Sequence, residues 1–463
     1  MQVSAREPIA QQLAAFAIST ETAAIPTRVR QRATLHLLDT LGCGLAAVAT
    51  GAAEHATALA LAQGGRQEAS LLGAPVRVPA AVAALANGTR CHALDFDDTH
   101  EAGICHSSTV VAPAALAAGE ARGKSGADVL DAYVLGTEVA LRIAIGTADG
   151  LYARGFHPTS VCGAFGAAAA VARLLELDGT EATRALGIVG SFAAGLFEYL
   201  SDGSQTKPLH AGWAAQAGLQ AALMAQAGAT GPATVIEGRF GLIASHTDLP
   251  TAGAAMAEAL GDTWELEATS IKAFPACHFV HSSTWAAAGL AQEHGLGHRD
   301  VERIVVRIPA EGEPLVLEPL GVKQRPRTPY EAKFSLPFAV AHHLVHGRLG
   351  VSSFSPESIR DPDVAALAGR VRSEPLGESA PSRFAGGARV VTRAGEECDR
   401  FVTHVPGSPG NPLAEADVMA KFRANAGMAL KDGAAEELAG LLRGLDQVRD
   451  LGDVFRLGHE LRA

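Results

Sequence analysis

Aromatic residues are scarce in this sequence. Phe, Tyr and Trp make up only 5% of the 463 residues. A β-sandwich or barrel draws much of its core from aromatic and β-branched side chains, so the shortage argues against one. Paired cysteines are missing too. Cys43, Cys91, Cys105, Cys162, Cys277 and Cys398 stand apart, with no CxxC pair among them. In a chain of this length, that spacing argues against a disulfide framework or a zinc site and predicts reduced thiols in a cytoplasmic protein. Positive charge is in short supply, with 38 Lys and Arg against 49 Asp and Glu and a formal net charge of −11. Without a basic stripe, nucleic acid is not an expected partner. The opening MQVSAREPIAQQLAAF has no basic segment followed by an apolar core, so no signal peptide is expected. No apolar run reaches membrane-spanning length uninterrupted, and no membrane partner is expected. The Ala-rich stretch Val110–Ala121 is broken by Pro113 and Glu120 and reads as buried helix.

What the chain has in quantity is small residues. Nearly half of it is hydrophobic, and Ala and Gly dominate. Small side chains at this density favour closely packed helices. From Pro8 to about Leu260 the apolar pattern is helical, with segments such as Thr27–Thr50, Pro79–Leu94, Gly126–Gly146, Ser160–Leu177, Gly179–Leu200 and Pro208–Gly228. The texture changes near Ile271. Glu302–Ile308 alternates like a strand, and Arg389–Arg393 with Asp399–His404 reads as a hairpin. Helical stretches at Ser282–His294 and Ser335–His346 accompany them, and Ala414–Leu461 returns to helix. The expected fold is mostly α. A helical domain (1–265) is interrupted by a smaller α+β lid (266–406), and C-terminal helices (407–463) rejoin the first domain.

One local construction recurs. His157-Pro158 and Lys207-Pro208 each precede a long helix, and proline suits the first helical turn while pushing its predecessor out of helical geometry. His157 and Lys207 are therefore expected just outside a helix N-terminus. His106 and His281 are each followed by two serines, which are good N-caps, and then by a helix. A helix N-terminus attracts anions, and adding a lysine or histidine there builds a carboxylate site if several such points converge. Taken singly, each histidine also fits a simple capping role.

An acidic cluster precedes these points. HALDFDDTHE, His92 to Glu101, holds four carboxylates between Asp95 and Glu101. Beside an anionic substrate, a carboxylate makes chemical sense as a general base or when held protonated. A solvated acidic loop is the plainer alternative, although Leu94 and Phe96 argue for partial burial. Asp97, Asp98 and Glu101 also match a DDxxE magnesium motif of helical isoprenoid synthases, but no second metal motif accompanies it.

Together these pieces resemble the MmgE/PrpD family. His92–His100 with His106-Ser107-Ser108, Gly155–Leu175 and Gln205–Pro232 look like its signatures, in order. So do Lys272–His278 with His281, and Ala332–Phe338. The resemblance implies a helical domain plus lid, a homodimer, no metal or organic cofactor, and an active site between the domains. It implies Asp95, His106, His157 and Lys207 as catalytic residues, and Thr99, Lys272, His278 and His281 as contacts to a small di- or tricarboxylate. Family members dehydrate 2-methylcitrate, decarboxylate cis-aconitate or epimerise iminodisuccinate. All are expected to share abstraction of a proton beside a carboxylate, with His157 or Asp95 as base, His106 as acid and the lysines holding charge. Cys277 and Phe338 stand where decarboxylases of the animal type carry a histidine and a tyrosine. The expectation is therefore a 2-methylcitrate dehydratase-like hydro-lyase first, then an epimerase, then a decarboxylase. A magnesium-dependent synthase and a non-catalytic carboxylate binder are readings from other classes.

Overall fold

The computed structural model describes residues 7–249, 253–376 and 380–462. Most of them are helical. The main body is built from Thr27–Thr50, Ala80–His92, Ser108–Ala121, Gly126–Ala153, Pro158–Leu174 and Thr206–Gln226. The abundance of small residues has a direct cause here. A Cβ on Gly212 would lie 2.2 Å from the Leu85 carbonyl, and one on Gly136 would lie 2.5 Å from the Gly166 carbonyl. Only glycine allows these helix backbones so close. The first contact sets the His92 helix directly against the helix that carries Lys207.

The apolar interior forms two large clusters. One joins residues 10–271 to Val418–Leu457 of the C-terminal helices, with Phe422 packed under Gly42. The other gathers Tyr199 and residues 274–390 around a four-stranded sheet. Its strand order is Val371–Ser373, Val301–Arg307, Gly386–Thr392, Glu397–Val402. The first pair is parallel and the others antiparallel, with Val390 opposite Cys398 in the expected hairpin.

Several elements differ from expectation. The segment expected as one helix over Gly179–Leu200 ends at Val189 and resumes as a short 3-10 turn, Phe197–Leu200. Gly190 and Gly195 fall in the break, and Gly195 takes φ 123°. Thr27–Thr50 is long and apolar enough to cross a membrane by length and composition, contrary to the reading of interrupted runs. In this fold most of its apolar part is buried in protein. The strand Val371–Ser373 escaped the sequence reading because three residues carry too little alternation.

Candidate active site

Three consecutive carbonyls organise the site. The Leu94 carbonyl accepts from Lys333 Nζ at 2.9 Å, that of Asp95 from Lys272 Nζ at 3.0 Å, and that of Phe96 from Lys421 Nζ at 2.7 Å. Lys333 also donates to the Pro275 carbonyl and Lys421 to the Lys272 carbonyl. The turn after the Ala80–His92 helix is thus stitched to residues 272–275. Asp95 sits at φ 52°, uncommon for a side-chain-bearing residue and held here by these contacts.

The Asp95 carboxylate is fully buried. Its Oδ1 accepts from Lys272 Nζ at 2.7 Å and from Lys207 Nζ at 2.9 Å. Burial opposes the charge, but Lys207 and Lys272 hold the group well below the usual carboxylate range. A carboxylate held this way is a poor base at neutral pH, which corrects the reading of Asp95 as proton acceptor. Burial likewise opposes charge on Lys272, while Asp95 and Asp97 lift its value.

The other acidic residues diverge. Asp97 faces His92 Nδ1 at 3.0 Å and His106 Nδ1 at 3.3 Å. Asp98 accepts from Ser108 and lies 2.7 Å from His36 Nδ1. Glu101 turns outward and accepts from the Phe384 backbone. Three carboxylates pointing three ways do not form a DDxxE metal site, and burial of Asp95, Asp97 and Asp98 rules out a solvated loop.

His106 Nδ1 lies 2.7 Å from the Asp98 carbonyl and 3.1 Å from Thr99 Oγ1. A carbonyl only accepts, so Nδ1 carries the hydrogen and Nε2 offers a lone pair. Burial, then Lys272 and Lys207, push His106 down to about 4. The ring is therefore neutral with Nε2 open as an acceptor, and Asp97 behind Nδ1 steadies the imidazolium that forms if it takes a proton, whereas the sequence reading made it the acid. The expected serine caps are absent: Ser107 makes no cap bond, and Ser108 is spent on Asp98 and Tyr133.

His157 is the N-cap residue before Pro158, extended at φ −86°, ψ 108°, as its sequence position predicts. Its side chain caps nothing. Nδ1 lies 3.2 Å from His210 Nδ1, so one of the two rings supplies the hydrogen. Burial, then His210 and Lys207, keep His157 well below the ordinary histidine value. Lys207 lies inside the first turn of Thr206–Gln226, not outside the helix. First-turn N–H groups have no intrahelical acceptor, so Pro208 is tolerated there as well.

These groups surround one narrow cavity. Its lining includes Asp95, Thr99, His106, His157, Lys207, Lys272 and His278, which are seven of the eight residues singled out from sequence. The eighth, His281, is not in the lining. It opens the His281–Glu293 helix behind His278 and directs Nε2 to the Ala276 carbonyl, because a 3-10 turn at His278–Val280 precedes it. Cys277 lines the cavity, with burial raising its thiol; Phe338 does not, being packed against His342 and Phe354.

Sequence reasoning missed the aromatic wall of Tyr152, Phe197, Tyr199, Phe334 and Phe384, along with the supporting contacts of His92, Asp97 and His210. His210 lies three residues after Lys207 on one helix, which is a signal for a shared face. Among the described residues, two overlapping groups bring possible ligand atoms within 4.8 Å of one another and could hold a metal: His92, His106 and His157, and His92, Asp95, Asp97 and His106. The two lysines on Asp95 oppose a cation there electrostatically.

Residues 11–254 match the MmgE/PrpD N-terminal domain, and residues 274–447 match the MmgE/PrpD C-terminal domain. The chain is 32% identical to "Cis-aconitate decarboxylase" of Homo sapiens over 448 residues, covering 91% of this chain and 89% of that protein. It is 30% identical to the protein of that name from Mus musculus, covering 91% and 87%. It is 26% identical to the protein of that name from Aspergillus terreus, covering 98% and 96%. With both domain types matched in order along a helical body and a sheet-containing second cluster, this chain belongs to the MmgE/PrpD family.

Proposed function

We propose that this chain is a lyase that acts on a small tricarboxylate by way of a carbanion beside a carboxylate. The observation that carries the reading is one buried cavity in which two lysines converge on Asp95 next to imidazoles held neutral. Each lysine keeps N–H groups that Asp95 does not use, and these bind substrate carboxylate. Negative charge that builds on a carboxylate during reaction strengthens those bonds most in the transition state.

Two lyase outcomes share that intermediate. In decarboxylation, the C–C bond to one carboxylate breaks, carbon dioxide leaves, and the electron pair spreads onto a neighbouring carboxylate. A proton then returns to carbon. The names of the relatives, each matched over most of its length, favour this outcome on a cis-aconitate-type substrate. In dehydration, His106 Nε2 takes the proton beside the carboxylate, and hydroxide leaves with a proton from the His157–His210 pair. Substrate anions favour the charged form of that pair once bound. Cys277 lines the cavity where a decarboxylase-type histidine is expected, and this favours 2-methylcitrate-like dehydration as the second reading. An iminodisuccinate-like epimerase returns the same proton on the other face.

Residues 266–406 are proposed to act as a lid, since Lys272, Cys277, His278 and Phe334 come from them. A cytoplasmic homodimer that needs no cofactor is proposed on the family resemblance.

The test is incubation with cis-aconitate, 2-methylcitrate and iminodisuccinate in deuterated water, followed by NMR and carbon dioxide release. Gas release with deuterium on the product's carbon supports decarboxylation, and alkene formation supports dehydration. Tight binding of all three with no exchange or product would leave only a carboxylate-binding protein.

A further inference from the structure

Hydroxyls facing the cavity differ in whether they are already committed. Thr99 Oγ1 accepts from His106 Nδ1 at 3.1 Å, which fixes the oxygen but leaves its own hydrogen available, and the Tyr152 hydroxyl donates to the Glu311 carbonyl at 3.3 Å. The Tyr199 hydroxyl has no hydrogen-bond partner among the described residues, and it is not sealed from the cavity as the Tyr330 hydroxyl is. Its ring is buried and fixed between His210 and Phe334, with both centroids 6.0 Å away. The short turn Phe197–Leu200 that carries it is pinned to the segment that leads into His157. Phe197 N donates to the Gly155 carbonyl at 2.8 Å, and His157 N donates to the Gly195 carbonyl at 2.9 Å. Tyr199 is thus a rigid phenol, mounted on the same frame as His157, with a free donor in the cavity.

We infer that Tyr199 donates a hydrogen bond to the substrate carboxylate on which negative charge develops, acting as an oxyanion-stabilising catalytic residue. The inference rests on the carbanion reading above and applies to either outcome. Burial, then the charge of Asp95, raise the phenol well above its ordinary value, so it stays a donor throughout the working pH range. A neutral donor in an apolar wall adds most where charge appears, because it is already oriented and shielded from water. The lysines differ in this respect, being partly neutralised by Asp95 before substrate arrives.

The experiment compares wild type and Tyr199→Phe for kcat, KM, melting temperature and deuterium exchange at the carbon beside the carboxylate. The expected result is a kcat lower by on the order of a hundredfold, with KM within about threefold and exchange falling in parallel. Either a kcat within about threefold of wild type, or a raised KM with normal kcat, overturns the charge-stabilising role while the carbanion reading stands. Wild-type protein that neither exchanges deuterium, nor releases carbon dioxide, nor forms an alkene on any substrate overturns the carbanion reading, and this inference with it. If Tyr199→Phe does not fold, Tyr199→Leu is measured against the same criteria.

Discussion

Lys272 binds Asp95 at two points, to the carboxylate Oδ1 at 2.7 Å and to the backbone carbonyl at 3.0 Å. Lys207 reaches only the carboxylate, at 2.9 Å. The two lysines therefore have different duties. Lys272 fixes the turn, whereas Lys207 sits on a helix that is anchored without it. Lys207→Ala is expected to abolish most activity while shifting the melting temperature by only a few degrees. Near-normal kinetics with a large fall in melting temperature, measured on the same preparation, would make Lys207 structural.

His157→Gln keeps hydrogen bonding and approximate size but removes basicity. The His157 side chain caps no helix N–H, so folding is expected to be unchanged. Turnover is expected to fall on the order of a hundredfold or more, as for loss of a general acid–base group. Activity within a few-fold of wild type would leave proton transfer to His106, and His106→Gln is the deciding comparison.

Acid should destabilise the fold through the site histidines. His106 is pushed down to about 4 from an ordinary value near 6.5. Between those values the unfolded chain binds a proton at this position and the folded one does not, so stability is lost as pH falls from 6.5 to 4. Asp39, lifted to about 6, and Glu138, lifted to about 7, act in the opposite sense. The comparison must therefore be differential. The stability advantage of wild type over His106→Gln is expected to shrink by on the order of 3 kcal/mol between pH 7 and pH 4, read by chemical denaturation. An advantage independent of pH would mean that His106 titrates normally. The same downward shift predicts that kcat/KM, which reports the free enzyme, shows no acid limb near 6.5 from this residue.

Chelation separates the metal-free reading from its rival. Activity is expected to persist in EDTA, because the His92–His106–His157 group is flanked by two lysines and its rings are engaged with Asp97 and His210. Loss of activity restored by added divalent metal would reassign those imidazoles as ligands.

Much of the helical body was legible because helical periodicity is local. Thr27–Thr50 came out with its observed bounds, and the hairpin over Gly386–Val402 was visible in its alternation. His157 was legible for a stereochemical reason, since Pro158 restricts the residue before it and starts the helix after it. The same logic misplaced Lys207 by part of a turn, because proline fits anywhere in a first turn. Ser107 and Ser108 were misread as well: Ser108 is taken by the buried Asp98, and the Ser107 hydroxyl makes no cap bond. His281 was expected at the site from its motif, yet the turn before it aims the ring at a backbone carbonyl.

By itself, the sequence determined which segments become helix or strand and which residue types stand at their ends, since both depend on neighbours within a few positions. Only the tertiary structure decided what those residues do. The carbonyls of residues 94–96 meet lysines from three distant segments, Lys272 being 177 positions from Asp95. That meeting turns an acidic run into a buried, charge-balanced turn and makes Asp95 an anchor for lysines and not a base, while the Asp98 carbonyl orients His106 as an acceptor. Protonation state follows from burial and from charges a few ångströms away, and neither is a property of local sequence.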